Sequence, residues 1–323
     1  MSGRMSAVSF AGRVVIVTGA GGGIGRTYAL DIARRGGAVV VNDLGGDVAG
    51  RHPSSSMADA VVAEIRAAGG RALASYDSVA TRAGASALVA AAVREFGRID
   101  AVINNAGIMR NCRFEDYRDE DREATLATHL GGSWLVSQAA WPQLRAQGYG
   151  RLVFTASSVG MFGTELQSAY GAAKAGVVGL MHVLAHEGRE HGILCNALMP
   201  NAMGRMALQY LKDQGGDVSQ LDPAQQAALG LSAEPEFNTG LAVYLASEAC
   251  SSTRAIYSAC LGRIARVFVG VTPGWQAARG RAPTAEDVAA HFAEIGDLRR
   301  GFYVPETPRE EWAQALGKPP PLR

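Results

Sequence analysis

The chain has 323 residues, 48% hydrophobic and 19% charged, which supplies a substantial core and excludes a composition typical of disorder. Thirty-one basic against thirty acidic residues leave a formal net charge of +1, so no global field draws in nucleic acid or an anionic membrane. Cys112, Cys195, Cys250 and Cys260 show no CxxC spacing, which argues for reduced thiols rather than a disulfide framework.

The N-terminal MSGRMSAVSFAGR lacks the apolar centre of a signal peptide. A first strand, VVIVT (14–18), runs into TGAGGGIG, which sets Gly19, Gly23, Ile24 and Gly25 between that strand and a helix over 24–36. Such a turn lets backbone approach a pyrophosphate, which then sits on a helix N-terminus whose free N–H groups favour anions. The second strand, AVVVND (38–43), ends on Asp43, 18 residues after Gly25. That is close to the offset of ~20 residues at which a carboxylate accepts from an adenosine ribose, and it would repel a 2′-phosphate. The cofactor expected is therefore NAD rather than NADP.

The Gly/Ser/Pro-rich stretch 44–56 reads as a long loop, with Arg51 and His52 solvated. Beyond it, helices are expected over 57–69, 81–97, 122–147, 168–191 and 235–247. Strands are expected at 71–76, 100–105, 151–156, 193–199 and 263–271. Near-continuous apolar strands alternating with helices predict an α/β fold: a Rossmann-type doubly wound parallel sheet in a three-layer α/β/α arrangement, as a single domain. That domain spans 1–275 and includes a weakly periodic substrate flap at 200–233. The tail 276–323 carries one helix, Thr284 to Ile295, and an extended proline-rich end. No apolar run approaches the ~18 residues a membrane helix needs, and PPPLR is no peroxisomal address, so a cytoplasmic protein without membrane or nucleic-acid partners is expected.

Tyr170 and Lys174 are four apart on one helix and share a face. A phenol with a pKa of ~10 is a poor base until a nearby ammonium and an oxidised nicotinamide lower it. It can then take the proton of a substrate alcohol as hydride leaves. Ser157, at the end of the fifth strand, would hold the substrate oxygen. His182 and His186 are also four apart, but HVLAHE has no evident third ligand and no metal is expected. Met161, Phe162, Met203, Met206, Leu208 and Tyr210 either line an apolar pocket or belong to the core.

TGAGGGIG (18–25), NNAG (104–107), Ser157 and YGAAK (170–174), in that order, resemble the short-chain dehydrogenase/reductase family over most of 10–275. VVVNDLGGD, GRIDAVINNAGIMR, YGRLVFTASS and PNAMGRM resemble more narrowly the dehydrogenase domain of peroxisomal multifunctional enzymes, also described as type 4 17β-hydroxysteroid dehydrogenases. The resemblance implies that Tyr170 and Lys174 also contact the nicotinamide ribose, and that Asp77 and Ser78 touch the adenine edge. It implies that Asn105, Ala106 and Gly107 line the cofactor and that Pro200, with Asn201, flanks the carboxamide. Where the family usually has an Asn in a proton relay, THLGGSW puts His129, either a relay member or a packed core histidine. The helices at 122–147 and 168–191 resemble those the family uses for a two-fold interface, so a homodimer or homotetramer is expected.

The function expected is NAD-dependent oxidation of a secondary alcohol on a bulky apolar substrate. A 17β-hydroxysteroid is favoured because no hydratase domain accompanies the chain, with a (3R)-3-hydroxyacyl-CoA as the alternative. Arg205, Lys212, Arg254, Arg263 and Arg266 could meet the phosphates of CoA. A non-catalytic NAD-sensing scaffold is the reading from another class, and the intact Ser157, Tyr170 and Lys174 argue against it.

Overall fold

The computed structural model describes residues 8–216 and 233–316, with the isolated positions 222, 224 and 227. Most of the second half of the expected flap and the proline-rich end from 317 onward lie outside the described residues. The runs VVIVT, AVVVN and AVIN become β1 (Val14–Thr18), β2 (Ala38–Asn42) and β4 (Ala101–Asn104), buried at every position because helices cover both faces. With β3 (Arg71–Ser75), β5 (Gly150–Thr155), β6 (Ile193–Pro200), β7 (Ala255–Cys260) and β8 (Arg263–Val267) they form one sheet ordered β3-β2-β1-β4-β5-β6-β7-β8. Every pairing from β3 through β7 is parallel.

β1 pairs with β2 on one side and β4 on the other, so strand order reverses between β1 and β4. The chain leaves those two strands in opposite directions, and the crevice beyond their C-terminal ends is where such sheets bind ligands. α1 (Gly23–Arg34), α2 (Ser56–Ala67) and α3 (Arg82–Phe96) make the crossovers between β1 and β4. Thr81 caps α3 by accepting from the Gly84 N–H at 3.1 Å, and Gly97 ends it at φ 77°. Apolar residues of β1 and β2 pack against Ala29 and Ile32 of α1, Val61 and Ile65 of α2, and Leu241 and Leu245 of α9 (Thr239–Ala246).

The structure departs from the sequence-based boundaries in several places. The helix expected at 122–147 begins at α4 (Asp119–Leu126), passes through a π-helical turn (Ala127–Gly131), and continues as α5 (Gly132–Gln147). A short α6 (Ser158–Phe162) precedes α7 (Ser168–Glu187), and the described part of the flap carries α8 (Arg205–Asp213). The last strand is not the run 263–271 alone. β7 and β8 are adjacent strands joined by Leu261 and Gly262, both left-handed at φ 48° and 78°, which is the signature of a two-residue hairpin. AIYSAC escapes an apolar-run reading because the half-buried Tyr257 and Ser258 interrupt it one strand in from the sheet edge.

The chain divides into two compact units at Arg266/Val267. In the second, Thr284 and Asp287 form a capping box on α10 (Ala285–Ile295), and a bridge between Val271 and Tyr303 closes the segment. Trp275 stacks on His291 and Phe268 on Phe302 within that unit. Among the described residues no helix is long and apolar enough to cross a membrane.

Candidate active site

Gly19 (φ 64°) turns the chain at the end of β1, and Gly23 (φ 53°) starts α1. A Cβ on Gly19 would stand 2.8 Å from the Ala106 Cα, and one on Gly25 would stand 2.2 Å from the Gly19 carbonyl, so neither position admits a side chain. The N-cap of α1 is Gly22, which has no side chain to satisfy the first-turn N–H groups. A Cβ on Gly23 would meet nothing within 4 Å. A turn open at Gly23, with donors and the positive end of α1, fits a pyrophosphate. The Ile24 side chain lies against the core, which fixes its backbone in the first turn of α1.

The NNAG segment holds this turn in place. The Thr18 hydroxyl accepts from the N–H groups of Asn105 (2.9 Å) and Ala106 (3.0 Å). The Asn105 amide donates to the carbonyls of Thr18 (2.9 Å) and Gly19 (3.1 Å). Asp43 lies just past β2, where its two carboxylate oxygens accept from the Gly21 N–H at 2.8 Å and the Gly45 N–H at 2.7 Å. Beside it, Asp77 accepts from the Ser75 hydroxyl at 2.9 Å, and the Ser78 hydroxyl accepts from the Ala80 N–H at 3.3 Å. The loop 44–56 leaves Arg51 and His52 exposed, yet its backbone is stitched to the segment after β4. Met109 N–H donates to Val48 O at 2.8 Å and Arg110 Nε to Ala49 O at 3.0 Å.

Four side chains converge beyond β4 and β5. Ser157 caps α6 by accepting from the Val159 N–H at 3.2 Å, and its hydroxyl is near enough to the Tyr170 phenol to favour the phenolate. Lys174, one turn along α7, is buried; its Nζ donates to the Thr155 carbonyl at 2.5 Å and stands 5.6 Å from the centre of the Tyr170 ring. The π-helical turn places His129 edge-on to Tyr170, with ring centroids 5.0 Å apart. His129 Nε2 lies 2.8 Å from the Ile108 carbonyl oxygen and 3.1 Å from the Ile108 nitrogen, while Nδ1 is buried without a partner. A Cβ on Gly107 would stand 2.4 Å from His129 Cε1, so Gly107 makes room for this imidazole.

The electrostatics depart from the sequence-based expectation for Tyr170. In the protein alone, burial pushes the phenol above its ordinary range and the Ser157 hydroxyl offsets this in part. Burial also lowers Lys174 to about 7, so it is poised near neutrality rather than a permanent ammonium. Burial first, and then the Lys174 charge, lower His129 to about 3, against the hydrogen bond to Ile108. Any proton passing through His129 at neutral pH therefore moves between neutral tautomers.

Pro200 ends β6, and Asn201 is tied to Ala259 O (2.9 Å) and Asn238 Oδ1 (3.1 Å) through its N–H. α8 is pinned twice. The hydroxyls of Thr164 and Tyr210 lie 2.7 Å apart, and the Asn111 amide donates to Asp213 Oδ2 at 2.6 Å. Met161, Phe162, Met203, Met206, Leu208 and Tyr210 are all exposed or half-buried, which removes the core alternative for them. The sequence reading missed Thr18, Asn111 and the Gly107–His129 contact; only Thr18, as the residue before the glycine turn, carried a local signal.

Comparison with known proteins agrees with this geometry. A family model described as short chain dehydrogenase matches residues 13–214. A short-chain type dehydrogenase/reductase of Mycobacterium tuberculosis is 44% identical over 286 residues, covering 88% of this chain and 94% of the relative. Mouse peroxisomal multifunctional enzyme type 2 is 42% identical over 294 residues, covering 91% of this chain but 38% of that longer protein. A hydroxyacyl-CoA dehydrogenase of Mycobacterium tuberculosis is 36% identical over 230 residues, covering 68% of this chain and 71% of the relative. The structure of full-length peroxisomal multifunctional enzyme type 2 from Drosophila melanogaster superimposes with a TM-score of 0.77 at 28% identity, covering 96% of this chain and 50% of that one. The chain belongs to the short-chain dehydrogenase family and is an oxidoreductase acting on CH–OH groups.

Proposed function

We propose that the protein oxidises a (3R)-3-hydroxyacyl-CoA to the 3-oxoacyl-CoA with NAD. The observation that carries this reading is its similarity to multifunctional-enzyme and hydroxyacyl-CoA dehydrogenase relatives over most of its length. Whether a hydratase domain accompanies the chain says nothing about the substrate of the dehydrogenase itself, so it gives no ground for preferring a steroid. NAD, when bound, accepts the hydride of the carbinol carbon. Ser157 holds the substrate oxygen, Tyr170 as phenolate takes the hydroxyl proton, and Lys174, oriented by the Thr155 carbonyl, stabilises that phenolate. Because burial raises the phenol in the protein alone, the base forms only when positive charge is added beside it. Asp43 holds the adenosine ribose, Asp77 and Ser78 border the adenine, and Pro200 flanks the carboxamide.

The test compares kcat/KM with NAD for the (3R) and (3S) hydroxyacyl-CoA esters, estradiol and testosterone. The (3R) thioester is expected to exceed either steroid by at least about 100-fold, which is about 2.7 kcal/mol of transition-state binding. Turnover of the steroids without the thioester would overturn the assignment.

We also propose self-association through α5 and α7. Trp134 and Val183 are more than half exposed, and with Leu130, Leu180 and Leu184 they line an apolar groove along these helices. Pairing there braces the helix that carries Tyr170 and Lys174. Light scattering at micromolar concentration is expected to give a dimer or tetramer, and Trp134→Arg a smaller species; a monomeric wild type would refute the interface.

A further inference from the structure

We propose that Arg205, the first residue of α8, is a ligand of the cofactor pyrophosphate that the flap delivers to the glycine turn. The inference rests on NAD binding at that turn. Read from sequence alone, this arginine has no expected part in cofactor binding and stands with the cations available to the phosphates of CoA. In the structure it lies beside the glycine turn. Its Nη2 lies 3.6 Å from the point a Cβ on Gly22 would occupy, directly over the N-cap of α1. No carboxylate or carbonyl partners its guanidinium among the described residues, although the Asp43 carboxylate lies against the neighbouring Gly21. That carboxylate accepts from the backbone N–H groups of Gly21 and Gly45 and makes no ion pair with the arginine.

An exposed, unpaired guanidinium beside a cluster of free backbone donors completes an anion site. The α1 N-terminus supplies N–H groups and a dipole, and Arg205 supplies a full charge with forked donors that match phosphate oxygens. The far part of α8 is meanwhile anchored by Tyr210 to Thr164 and by Asp213 to Asn111. The same helix thus links the segments after β4 and β5 to the phosphate end of the cofactor cleft. Cofactor binding and the seating of α8 favour each other through this one side chain, which makes the flap sensitive to whether the pyrophosphate is present.

The experiment is direct binding, by calorimetry or NADH fluorescence, to the full-length wild type, Arg205→Ala and Arg205→Lys. ADP-ribose, which keeps the pyrophosphate and lacks nicotinamide, is titrated in parallel. Arg205→Ala is expected to raise Kd for both NADH and ADP-ribose by about tenfold or more and to flatten the salt dependence of binding; Arg205→Lys is expected to fall between. Arg205 is exposed, so the variants fold, and matching thermal unfolding checks this. An NADH Kd within twofold of wild type overturns the proposal. So does a loss for NADH with none for ADP-ribose, which would place Arg205 at the nicotinamide end. An unchanged NADH Kd with a raised KM for hydroxyacyl-CoA would return Arg205 to the substrate. Failure of the substrate assignment alone leaves these titrations intact, whereas a wild type that binds neither NADH nor ADP-ribose overturns the cofactor reading and this proposal together.

Discussion

Tyr170→Phe is expected to lower kcat for alcohol oxidation by about 10³-fold or more while leaving NADH affinity within about twofold. The size of the loss follows from what surrounds the phenol. His129 is held near a pKa of about 3 and abuts the ring by its edge, Lys174 Nζ is directed to the Thr155 carbonyl, and Ser157 offers a hydroxyl. None of these replaces a phenolate. The substitution removes one oxygen from a half-buried ring and leaves Ser157 its bond to the Val159 N–H, so the fold is expected to lose only about 1 kcal/mol. Lys174→Met is expected to damage both turnover and cofactor affinity, because the proposed mechanism uses the same nitrogen to stabilise the phenolate and to hold the nicotinamide ribose. In the wild type, oxidation should accelerate as pH rises, since the phenol must lose its proton before it can accept one. A Tyr170→Phe enzyme that keeps more than about a tenth of the wild-type rate places the base on another residue.

The parts of the site written in one local stretch were legible in the sequence. Gly19, Gly23 and Gly25 follow from the geometry of a strand-to-helix turn, Asp43 from its distance along the chain, and Tyr170 with Lys174 from one turn of helix. The parts made by distant stretches were not. Asn105 resembles a cofactor-lining residue, and what its sequence context hides is that its amide also braces the turn by donating to the carbonyls of Thr18 and Gly19, which sit 87 and 86 residues earlier. Gly107 looked like one more glycine of NNAG; its reason is the imidazole of His129, brought there by a π-helical turn that no 3.6-residue periodicity reveals. The upward shift of Tyr170 in the protein alone was not legible, because spacing shows that Lys174 shares a helix face but cannot show the burial around both groups. Arg205 carried no local signal at all, since its place depends on how α8 folds back over the turn after β1.

NAD is expected to be preferred over NADP by at least about 100-fold in kcat/KM, and Asp43 is the reason. A carboxylate on a mobile loop could swing away from a 2′-phosphate, but this one is fixed by the Gly21 and Gly45 N–H groups, one on each oxygen. Gly21 approaches so closely that a Cβ there would stand 2.9 Å from Asp43 Oδ2, which leaves the side chain little room to retreat. Two like unit charges about 4 Å apart repel by about 4 kcal/mol at an effective dielectric of about 20, and a phosphate dianion doubles the charge. Even after screening, that exceeds the roughly 2.7 kcal/mol that a 100-fold preference requires. Asp43→Asn is the informative variant. It removes the charge and keeps an oxygen for one backbone donor, so the preference should shrink toward about tenfold or less while the turn persists. Asp43→Ala removes the acceptor as well, strands both N–H groups, and should weaken NAD itself in addition to narrowing the gap. The measurement is kcat/KM for both cofactors across the three proteins at one ionic strength. Equal use of NAD and NADP by the wild type, or a preference unmoved in Asp43→Asn, would show that this carboxylate serves the turn and does not choose the cofactor.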